Sequence, residues 1–313
     1  MSPSRAGRVL RIATRQSALA LWQAEHVAAR LRAAHPGLSV ELLPLSTRGD
    51  RVQDRSLAAI GGKGLFIKEL ETALGDGRAD IAVHSMKDVP SELPPGLKIG
   101  ALLPRTDARD ALLSLRGGAL AELPAGARLG TSSLRRQAQL KAAHPAIRVE
   151  PLRGNVDTRI KRLESGELDA IVLACAGLIR LGLESRISAR LEPGVMLPAV
   201  GQGAIGIECR AADSATSELV RALEHADTRT ALDAERAFAR TLGGSCQSPI
   251  AAFARVESGR VSLEGLVAEP DGSRLWRDRA TGDAAEAARV GGELAARLLA
   301  AGARALLERL RTG

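Results

Sequence analysis

The chain has 313 residues, a mass of 32.8 kDa and 45% hydrophobic residues, which excludes a disordered or fibrous protein and leaves room for two or three domains. Its 44 lysines and arginines exceed its 36 aspartates and glutamates, so the formal net charge is +8. Six of the cations are lysine and 38 are arginine, which indicates either a coding bias or guanidinium groups that converge on an anionic ligand.

Residues 12–172 contain a weak internal repeat. In each copy a strand ends in threonine, a helix carrying arginine follows, and an Arg-Gly pair precedes an acidic turn that enters a second apolar strand. Residues 12–17 match residues 129–136, residues 31–36 match 140–145, residues 48–50 match 153–155, and residues 77–83 match 166–172. Because alternating strands and helices are typical of mainly parallel sheets, the repeat predicts two similar α/β lobes.

Both lobes are expected to bind an anion where their first strands end. Residues 14–17 and 131–136 place hydroxyl and backbone N–H groups at helix starts, beyond the carboxyl ends of strands where ligands bind in such sheets. Ordinary N-capping by serine or threonine explains either segment equally well on its own. Since both segments also carry arginine, we favour two anion-binding edges that face one cleft.

The first lobe carries an extra stretch before its acidic turn. Arg48 and Asp80 are 32 positions apart, against 16 for the corresponding pair of the second lobe. Residues 50–56 are strongly charged, and the glycines among residues 61–64 lower the cost of backbone rearrangement. The sequence therefore predicts a lid at residues 50–64.

A third unit follows the second lobe. Proline and glycine become frequent from Pro193 to Gly203, which indicates a connection back from the second lobe. The predicted helices after it are residues 214–241 and 283–300, and the predicted strands are residues 251–256, 260–268 and 274–279. Helices that cover an antiparallel sheet make a small α+β domain.

Several motif matches do not fit their usual context. Residues 201–206 read Gly-x-Gly-x-x-Gly but follow a proline-rich connector and open no amphipathic helix, which argues against a dinucleotide site. Residues 62–63 read Gly-Lys without the Ser or Thr of a phosphate-binding P-loop. His84, Ser85 and Asp88 are too close along the chain for a hydrolase triad. No histidines pair at metal-ligand spacing, so no metal site is predicted.

Lys87 and Asp88 are the main candidates for catalysis. Residues 82–90 read as a buried strand that delivers both side chains to its carboxyl end just before Pro90, which is where catalytic residues lie in such folds. A surface Lys-Asp pair is the alternative interpretation.

The cysteines divide into packing and reactive candidates. Cys175, Cys209 and Cys246 are widely spaced and form no CxxC pair, so neither a disulfide framework nor a zinc site is predicted. Cys175 lies in an apolar run and reads as inert packing, whereas Cys246 lies on the glycine-rich segment 242–249, where we expect the sulfur to be accessible. Because residues 1–11 contain no apolar run of signal-peptide length and the chain nowhere has eighteen consecutive apolar residues, we expect a soluble cytoplasmic protein.

Seven segments resemble, in order along the chain, the motifs of the porphobilinogen deaminase family: residues 11–17, 61–66, 84–90, 130–136, 152–155, 197–203 and 244–247. The resemblance implies an α/β fold with two lobes like those of periplasmic binding proteins, built on mainly parallel sheets, and a C-terminal α+β domain that carries the cofactor cysteine. The implied domains are residues 1–104 with 200–222, residues 105–199, and residues 223–313.

The resemblance also implies a covalent dipyrromethane cofactor, held through a thioether to Cys246. Asp88 would be the catalytic carboxylate, assisted by Lys87. The residues implied to bind the cofactor, besides Cys246, are Ser17, Lys87, Asp88, Thr131, Ser133, Arg135, Arg136 and Arg159. Those implied to bind the substrate are Arg15, Arg153 and Arg180.

The implied activity is that of a transferase. Four porphobilinogen molecules would be deaminated and condensed head to tail onto the cofactor, and hydrolysis would release linear hydroxymethylbilane. Each porphobilinogen loses ammonia to give an azafulvene cation, and we expect nearby arginines to keep Asp88 ionised so that it stabilises this charge.

Each pyrrole brings two carboxylates that arginines would pair, and the lobes and the 50–64 lid are expected to shift as the chain grows.

Two other classes of function compete with this interpretation. A non-catalytic two-lobed anion-binding protein explains the repeat and the arginines but leaves Cys246 and the third unit without a task. Nucleic-acid binding would suit the net charge, yet the five Trp and Phe residues are too few for a base-stacking platform and the basic residues alternate with acids. The family resemblance implies a monomer that acts on porphobilinogen, and we expect it to bind neither nucleic acid nor membrane.

Overall fold

The computed structural model describes residues 9–47, 49, 67–243 and 248–312. The chain divides into two compact units. The first contains Met1–Arg105 and Ala204–Arg229, and the second contains Thr106–Gly203 and Thr230–Gly313. The chain therefore passes between the units three times.

The strands are β1 (Val9–Arg15), β2 (Ser39–Leu45), β3 (Ile81–Ser85), β4 (Leu97–Leu102), β5 (Asp110–Ser114), β6 (Arg128–Gly130), β7 (Arg148–Glu150), β8 (Ala170–Ala174), β9 (Ala189–Leu191), β10 (Ile205–Arg210), β11 (Ile250–Glu257), β12 (Arg260–Ala268) and β13 (Leu275–Asp283). The α-helices of the described residues are α1 (Ala18–Ala34), α2 (Lys68–Gly75), α3 (Leu134–Ala143), α4 (Val156–Glu164), α5 (Cys175–Arg180), α6 (Ser214–Arg221), α7 (Ala226–Leu242), α8 (Ala287–Leu298) and α9 (Arg304–Thr312). None of these helices has the length and apolar character needed to cross a membrane.

Each unit contains a five-stranded sheet, and the two sheets share one topology. The first has the order β2-β1-β3-β10-β4 and the second the order β7-β6-β8-β5-β9. In both, the first three strands pair in parallel, and the fourth position is held by a strand antiparallel to both neighbours. Four strands of each sheet thus run in one direction, which confirms the mainly parallel α/β lobes. The sheets are mixed because β10 and β5 each follow a passage of the chain from the other unit.

Local contacts repeat as well as topology. Asp80 accepts a hydrogen bond from the backbone N–H of Arg11 at 2.8 Å, and Asp169 accepts one from Arg128 at 2.7 Å. Helices α1 and α3 are both followed by a C-cap histidine, His35 and His144, whose backbone N–H donates to the carbonyl four residues back at 2.9 and 2.8 Å. The sequence repeat therefore corresponds to two copies of one supersecondary unit.

Apolar side chains cover both faces of the lobe sheets, as parallel strands require. In the first unit, α1 and α6 pack on one face through Val27, Leu31 and Val220, and α2 packs on the other through Leu70 and Leu74. In the second unit α4 and α5 cover one face, and α3 covers the other. This packing exposes the carboxyl ends of the parallel strands as the edge where functional side chains can gather.

The third sheet lies in the second unit and is antiparallel, with the order β11-β12-β13. Phe238 of α7 and Leu294 of α8 pack on it in one buried cluster. The predicted strands and α+β character are confirmed. Buried contacts also tie this sheet to helix α3, through Ala138, Leu266 and Ala268.

Two helix predictions need correction. The helix predicted at residues 214–241 is two helices, α6 and α7, because the His225 side chain accepts the Thr228 N–H at 3.2 Å and starts a new helix. The helix predicted at 283–300 is followed by α9, which the sequence did not reveal. Gly302, with a φ of +115°, sets the break between α8 and α9, and Trp276 Nε1 donates to the carbonyl of Ala301 there at 2.9 Å.

Candidate functional site

Lys87 and Asp88 lie in a 3₁₀ turn, Met86–Asp88, directly after strand β3. Met86 is buried, and its backbone N–H donates to the carbonyl of Ala204 at 3.0 Å. Lys87 and Asp88 are half-buried. The structure thus places both side chains at the carboxyl end of a buried strand, as predicted, and the buried Met86 fixes the turn that presents them.

Helix α1 begins at the same edge of the first sheet. Its N-cap Ser17 accepts a hydrogen bond from the Ala20 N–H at 3.4 Å, so capping does occur there. Arg15 ends β1 and is half-buried. Buried Gln23 donates through Nε2 to Ser85 Oγ at 2.8 Å and ties α1 to the end of β3. Sequence reasoning missed Gln23, although a lone amide beside the apolar Ala24 was a signal for it.

Two buried ionisable side chains pair next to the turn. His84 Nε2 of β3 lies 2.8 Å from Glu208 Oε2 of β10, and both side chains are buried. Glu208 Oε1 has no hydrogen-bond partner within the described residues. Burial and the Glu208 carboxylate raise the pKa of Glu71 on α2, against a smaller lowering by His84. His84, whose spacing from Ser85 and Asp88 argued against a hydrolase triad, is therefore part of a buried polar cluster.

In the second unit, Arg135 and Arg136 converge on the carboxylate of Asp110. Arg135 Nη1 donates to Oδ2 at 2.7 Å, and Arg136 Nη2 donates to Oδ1 at 2.7 Å. The exposed fractions of the side chains are 5% for Arg135, 7% for Arg136 and 0% for Asp110. Burial alone would raise the pKa of Asp110, but the two guanidinium groups hold it well below its usual value. No motif indicated Asp110, which reaches the arginines only through the fold.

Thr131 and Ser133 lie at the start of helix α3. Ser133 is the N-cap and accepts a hydrogen bond from the Arg136 N–H at 3.4 Å, while Thr131 Oγ1 accepts one from the Ser133 N–H at 3.2 Å. These hydroxyls therefore order the helix start that carries the two arginines. The first turn presents positive dipole ends and guanidinium groups together, which suits an anion.

Arg180 ends helix α5 and is a buried cation. Its Nη2 donates to the carbonyl of Gly203 at 2.6 Å and to Thr106 Oγ1 at 3.3 Å, and no carboxylate pairs with it within the described residues. Only 7% of the residue is exposed, and burial lowers its pKa to about 10. Because a buried charge without a counter-ion is costly, Arg180 is suited to a ligand carboxylate.

Arg153 and Arg159 flank the start of helix α4, and both are half-buried. Arg159 Nε donates to the carbonyl of Gly154 at 2.8 Å. Gly154 has a φ of +103°, in the left-handed region that favours glycine. This turn carries Arg153 and Arg159 at the carboxyl-terminal side of β7, at the same edge of the second sheet as Thr131.

Two predicted features lie outside the described residues: Cys246 and the 50–64 lid. Of the other cysteines, Cys175 is fully buried, and burial followed by the charges of Asp107 and Asp110 raises its pKa to about 12. A thiol in this state is inert, as the sequence indicated. Burial also raises the pKa of Cys209. Within the described ranges no cluster of three or more His, Cys, Asp or Glu side chains could hold a metal ion.

The two units offer different chemistry. The first presents a carboxylate and an ammonium group on a well-anchored turn. The second presents guanidinium groups that outnumber the carboxylates beside them, since Arg135 and Arg136 share one acid and Arg180 has none among the described residues. The guanidinium groups can bind a ligand with several carboxylates, and Asp88 can stabilise a developing positive charge.

Comparisons with known proteins agree with this chemistry. The family model "Porphobilinogen deaminase, dipyromethane cofactor binding domain" matches residues 10–218, and "Porphobilinogen deaminase, C-terminal domain" matches residues 230–300. The porphobilinogen deaminase of Chromobacterium violaceum is 56% identical over 296 residues, covering 95% of this chain and 96% of that protein. That of Thiobacillus denitrificans is 54% identical over 301 residues, covering 96% and 98%.

Among solved structures, the periplasmic VFT2 domain of Bordetella pertussis BvgS matches 69% of this chain and 86% of that chain, with 15% identity and a TM-score of 0.42. The family models cover most of the sequence, and both relatives match it over nearly their full length. The chain therefore belongs to the porphobilinogen deaminase family, as its motifs indicated.

Proposed function

We propose that the chain is a hydroxymethylbilane synthase. It deaminates four porphobilinogen molecules, condenses them head to tail onto a covalent dipyrromethane primer, and hydrolyses the product to release linear hydroxymethylbilane. The observation that carries this proposal is the set of buried guanidinium groups in the second unit, which one carboxylate only partly neutralises. A ligand rich in carboxylates supplies the missing negative charge.

The residues present fit the dipyrromethane cofactor. Its acetate and propionate groups need cationic or N–H donors, and the second unit provides buried guanidinium groups and a helix start. The residues proposed to hold it are Ser17, Lys87, Asp88, Thr131, Ser133, Arg135, Arg136 and Arg159, with Cys246 as the point of attachment. When bound, the cofactor supplies the pyrrole carbon to which the first porphobilinogen is joined.

Arg15, Arg153 and Arg180 are proposed to bind the carboxylates of incoming porphobilinogen. All three lie at or near the carboxyl ends of parallel strands or the helices that follow them. Every added pyrrole brings two further carboxylates, so the need for fixed cations rises as the product grows. Arginine suits this task because its guanidinium group binds a carboxylate with two parallel hydrogen bonds.

Asp88 is proposed to act as an ionised carboxylate. When porphobilinogen loses ammonia, positive charge develops on its pyrrole ring, and a fixed carboxylate stabilises that charge without reorganisation. The same oxygens can accept a pyrrole N–H bond. The leaving amine can be protonated in solution at neutral pH, so a neutral, acidic Asp88 is not required for its departure.

The competing function is a non-catalytic anion-binding protein. The arginines and helix starts serve that function equally well. It gives no role to the Lys87–Asp88 turn or to Cys246, and membership of a family of deaminases argues against it.

The domain bounds, the cellular compartment and the oligomeric state are also proposed. The third antiparallel sheet and the gap between the two family models support a separate C-terminal domain from about residue 223, with lobes at 1–104 plus 200–222 and at 105–199. The buried free thiols Cys175 and Cys209 support action in the reducing cytoplasm. We also propose that the enzyme acts as a monomer, binds neither nucleic acid nor membrane, and moves its lobes and the 50–64 lid during elongation.

Intact-mass analysis of the denatured protein tests the function. The purified wild type should carry an added mass of two pyrrole units, and brief incubation with porphobilinogen should add further single units. Cys246→Ser should lose the addition, whereas Cys175→Ser and Cys209→Ser, which change buried thiols, should keep it. An active wild-type enzyme of unmodified mass would contradict the thioether, and a protein that binds porphobilinogen without extending would support the anion-binding alternative.

A further inference from the structure

Asp110 is held rigidly at the start of strand β5. Its Oδ1 accepts hydrogen bonds from Arg136 Nε at 3.0 Å and Nη2 at 2.7 Å, and from Arg135 Nη2 at 3.2 Å. Its Oδ2 accepts one from Arg135 Nη1 at 2.7 Å. Gln202 Nε2 adds a further donor to Oδ1 at 3.0 Å. The carboxylate is therefore fixed in one orientation by three side chains.

The two guanidinium groups are fixed by backbone contacts as well. Arg135 Nη1 donates to the carbonyl of Leu197, and Arg136 Nη1 donates to that of Val172, both at 2.8 Å. A guanidinium group carries five N–H donors. Within the described residues each of these two uses three of its donors, so two on each remain for a ligand.

The charges of this cluster do not balance. Two cations meet one carboxylate, and all three side chains are buried. A neighbouring cluster in the same unit has more carboxylates than guanidinium groups. Arg109 and Arg190 share Asp107 there. Arg109 also pairs with Glu192, and Arg190 also pairs with Glu184. Because a buried excess charge is costly, the Asp110 cluster favours the uptake of one anion, and the Asp107 cluster does not.

We propose that Asp110 is a positioning residue of the cofactor site, which holds Arg135 and Arg136 in fixed orientations and leaves their cluster one negative charge short. The cluster then takes up one carboxylate of the bound pyrrole chain through the remaining N–H donors. Asp110 itself touches neither substrate nor cofactor. This inference rests on the proposed function, because it assigns the ligand of the cluster as a pyrrole carboxylate.

The test uses the full-length, cofactor-loaded enzyme with Asp110→Asn, and with Asp107→Asn as the matched control. The amide keeps the size of the side chain but loses the charge that orders both guanidinium groups. At a temperature where circular dichroism shows the variants folded, turnover per molecule carrying the two-pyrrole addition should fall at least about tenfold for Asp110→Asn. The fall should be in kcat, with KM for porphobilinogen changed less than about threefold, since other arginines bind the substrate. Asp107→Asn should keep both parameters within about twofold.

A second variant separates charge from position if Asp110→Asn does not fold. Asp110→Glu keeps the charge but moves the carboxylate by one methylene, so it should fold and still lose turnover per loaded molecule. If Asp110→Asn folds, a wild-type kcat per loaded molecule in that variant overturns the inference. If Asp110→Asn is unfolded, a wild-type kcat per loaded molecule in Asp110→Glu overturns it. A wild type that carries no covalent pyrroles would instead refute the proposed function, so the two failures are distinguishable.

Discussion

Met86 occupies the space directly above Gly206, so closely that a Cβ atom at position 206 would lie 2.1 Å from Met86 Sδ. Gly206 is in strand β10, and Met86 begins the turn that carries Lys87 and Asp88. Any side chain at position 206 must therefore displace the buried side chain of Met86. The glycine is needed here for close approach, since its φ is not in the left-handed region.

Gly206→Ala should lower kcat by about tenfold or more, because displacing Met86 shifts Asp88 from its position, and overpacking should also destabilise the fold by about 1–3 kcal/mol. Steady-state kinetics on the folded fraction measures the first effect and urea unfolding the second. Gly292→Ala is the matched control: its nearest neighbour, Thr241 Oγ1, would lie 3.7 Å from the new Cβ, and alanine suits helix α8. An unaltered kcat in Gly206→Ala would show that Met86 does not set the turn.

Asp88→Asn should abolish most of the turnover while the protein folds and retains its cofactor. The amide has the shape of the carboxylate but cannot balance positive charge on the reacting pyrrole, and one such electrostatic group typically contributes about 10²-fold or more. Product formation from porphobilinogen measures the loss. Glu92→Gln removes an exposed carboxylate four residues further on and should leave turnover unchanged. If Asp88→Asn kept more than about a tenth of the activity, the assignment of Asp88 would be wrong.

The sequence predicted the parts of this fold that local patterns encode. Strand-helix alternation and the repeat gave the two lobes, because each copy has its own turn and cap signals. The positions of β5 and β10 within the sheets could not be read, since long-range pairing decides them. Asp110, Gln23 and Glu208 escaped notice for the same reason: each is an isolated polar residue whose partner lies on another element.

Glu71→Gln should stabilise the folded protein at neutral pH. Burial and the Glu208 carboxylate raise the pKa of Glu71 in the folded state, so its ionised form disfavours folding above that pKa and the penalty disappears as the pH falls through it. Because Glu71 is only half-buried, we expect a gain of less than about 1 kcal/mol. Urea unfolding at about pH 7.5 should show the gain, and unfolding at about pH 4.5 should show it reduced. A difference that grew toward acid pH would contradict the assigned sign, and Glu92→Gln again serves as the exposed control.

Arg180→Lys should make kcat/KM depend on pH in a range where the arginine of the wild type stays charged. Burial lowers the pKa of Arg180 to about 10, which leaves the arginine charged at neutral pH. A lysine at this position starts from a lower intrinsic pKa, about 10.4, and the same burial would bring it toward neutrality. Its charge, and with it the binding of a substrate carboxylate, should therefore be lost as the pH rises from about 6 to about 8.5.

The measurement for Arg180→Lys is kcat/KM for porphobilinogen across that range, divided by the wild-type value at each pH. The ratio should fall by about tenfold toward the alkaline end, mainly through KM. Arg116→Lys, which changes an exposed arginine of the same unit, should give a flat ratio. A flat ratio for Arg180→Lys as well would mean that the charge at position 180 does not hold the substrate, and that Arg180 serves only its contacts with Gly203 and Thr106.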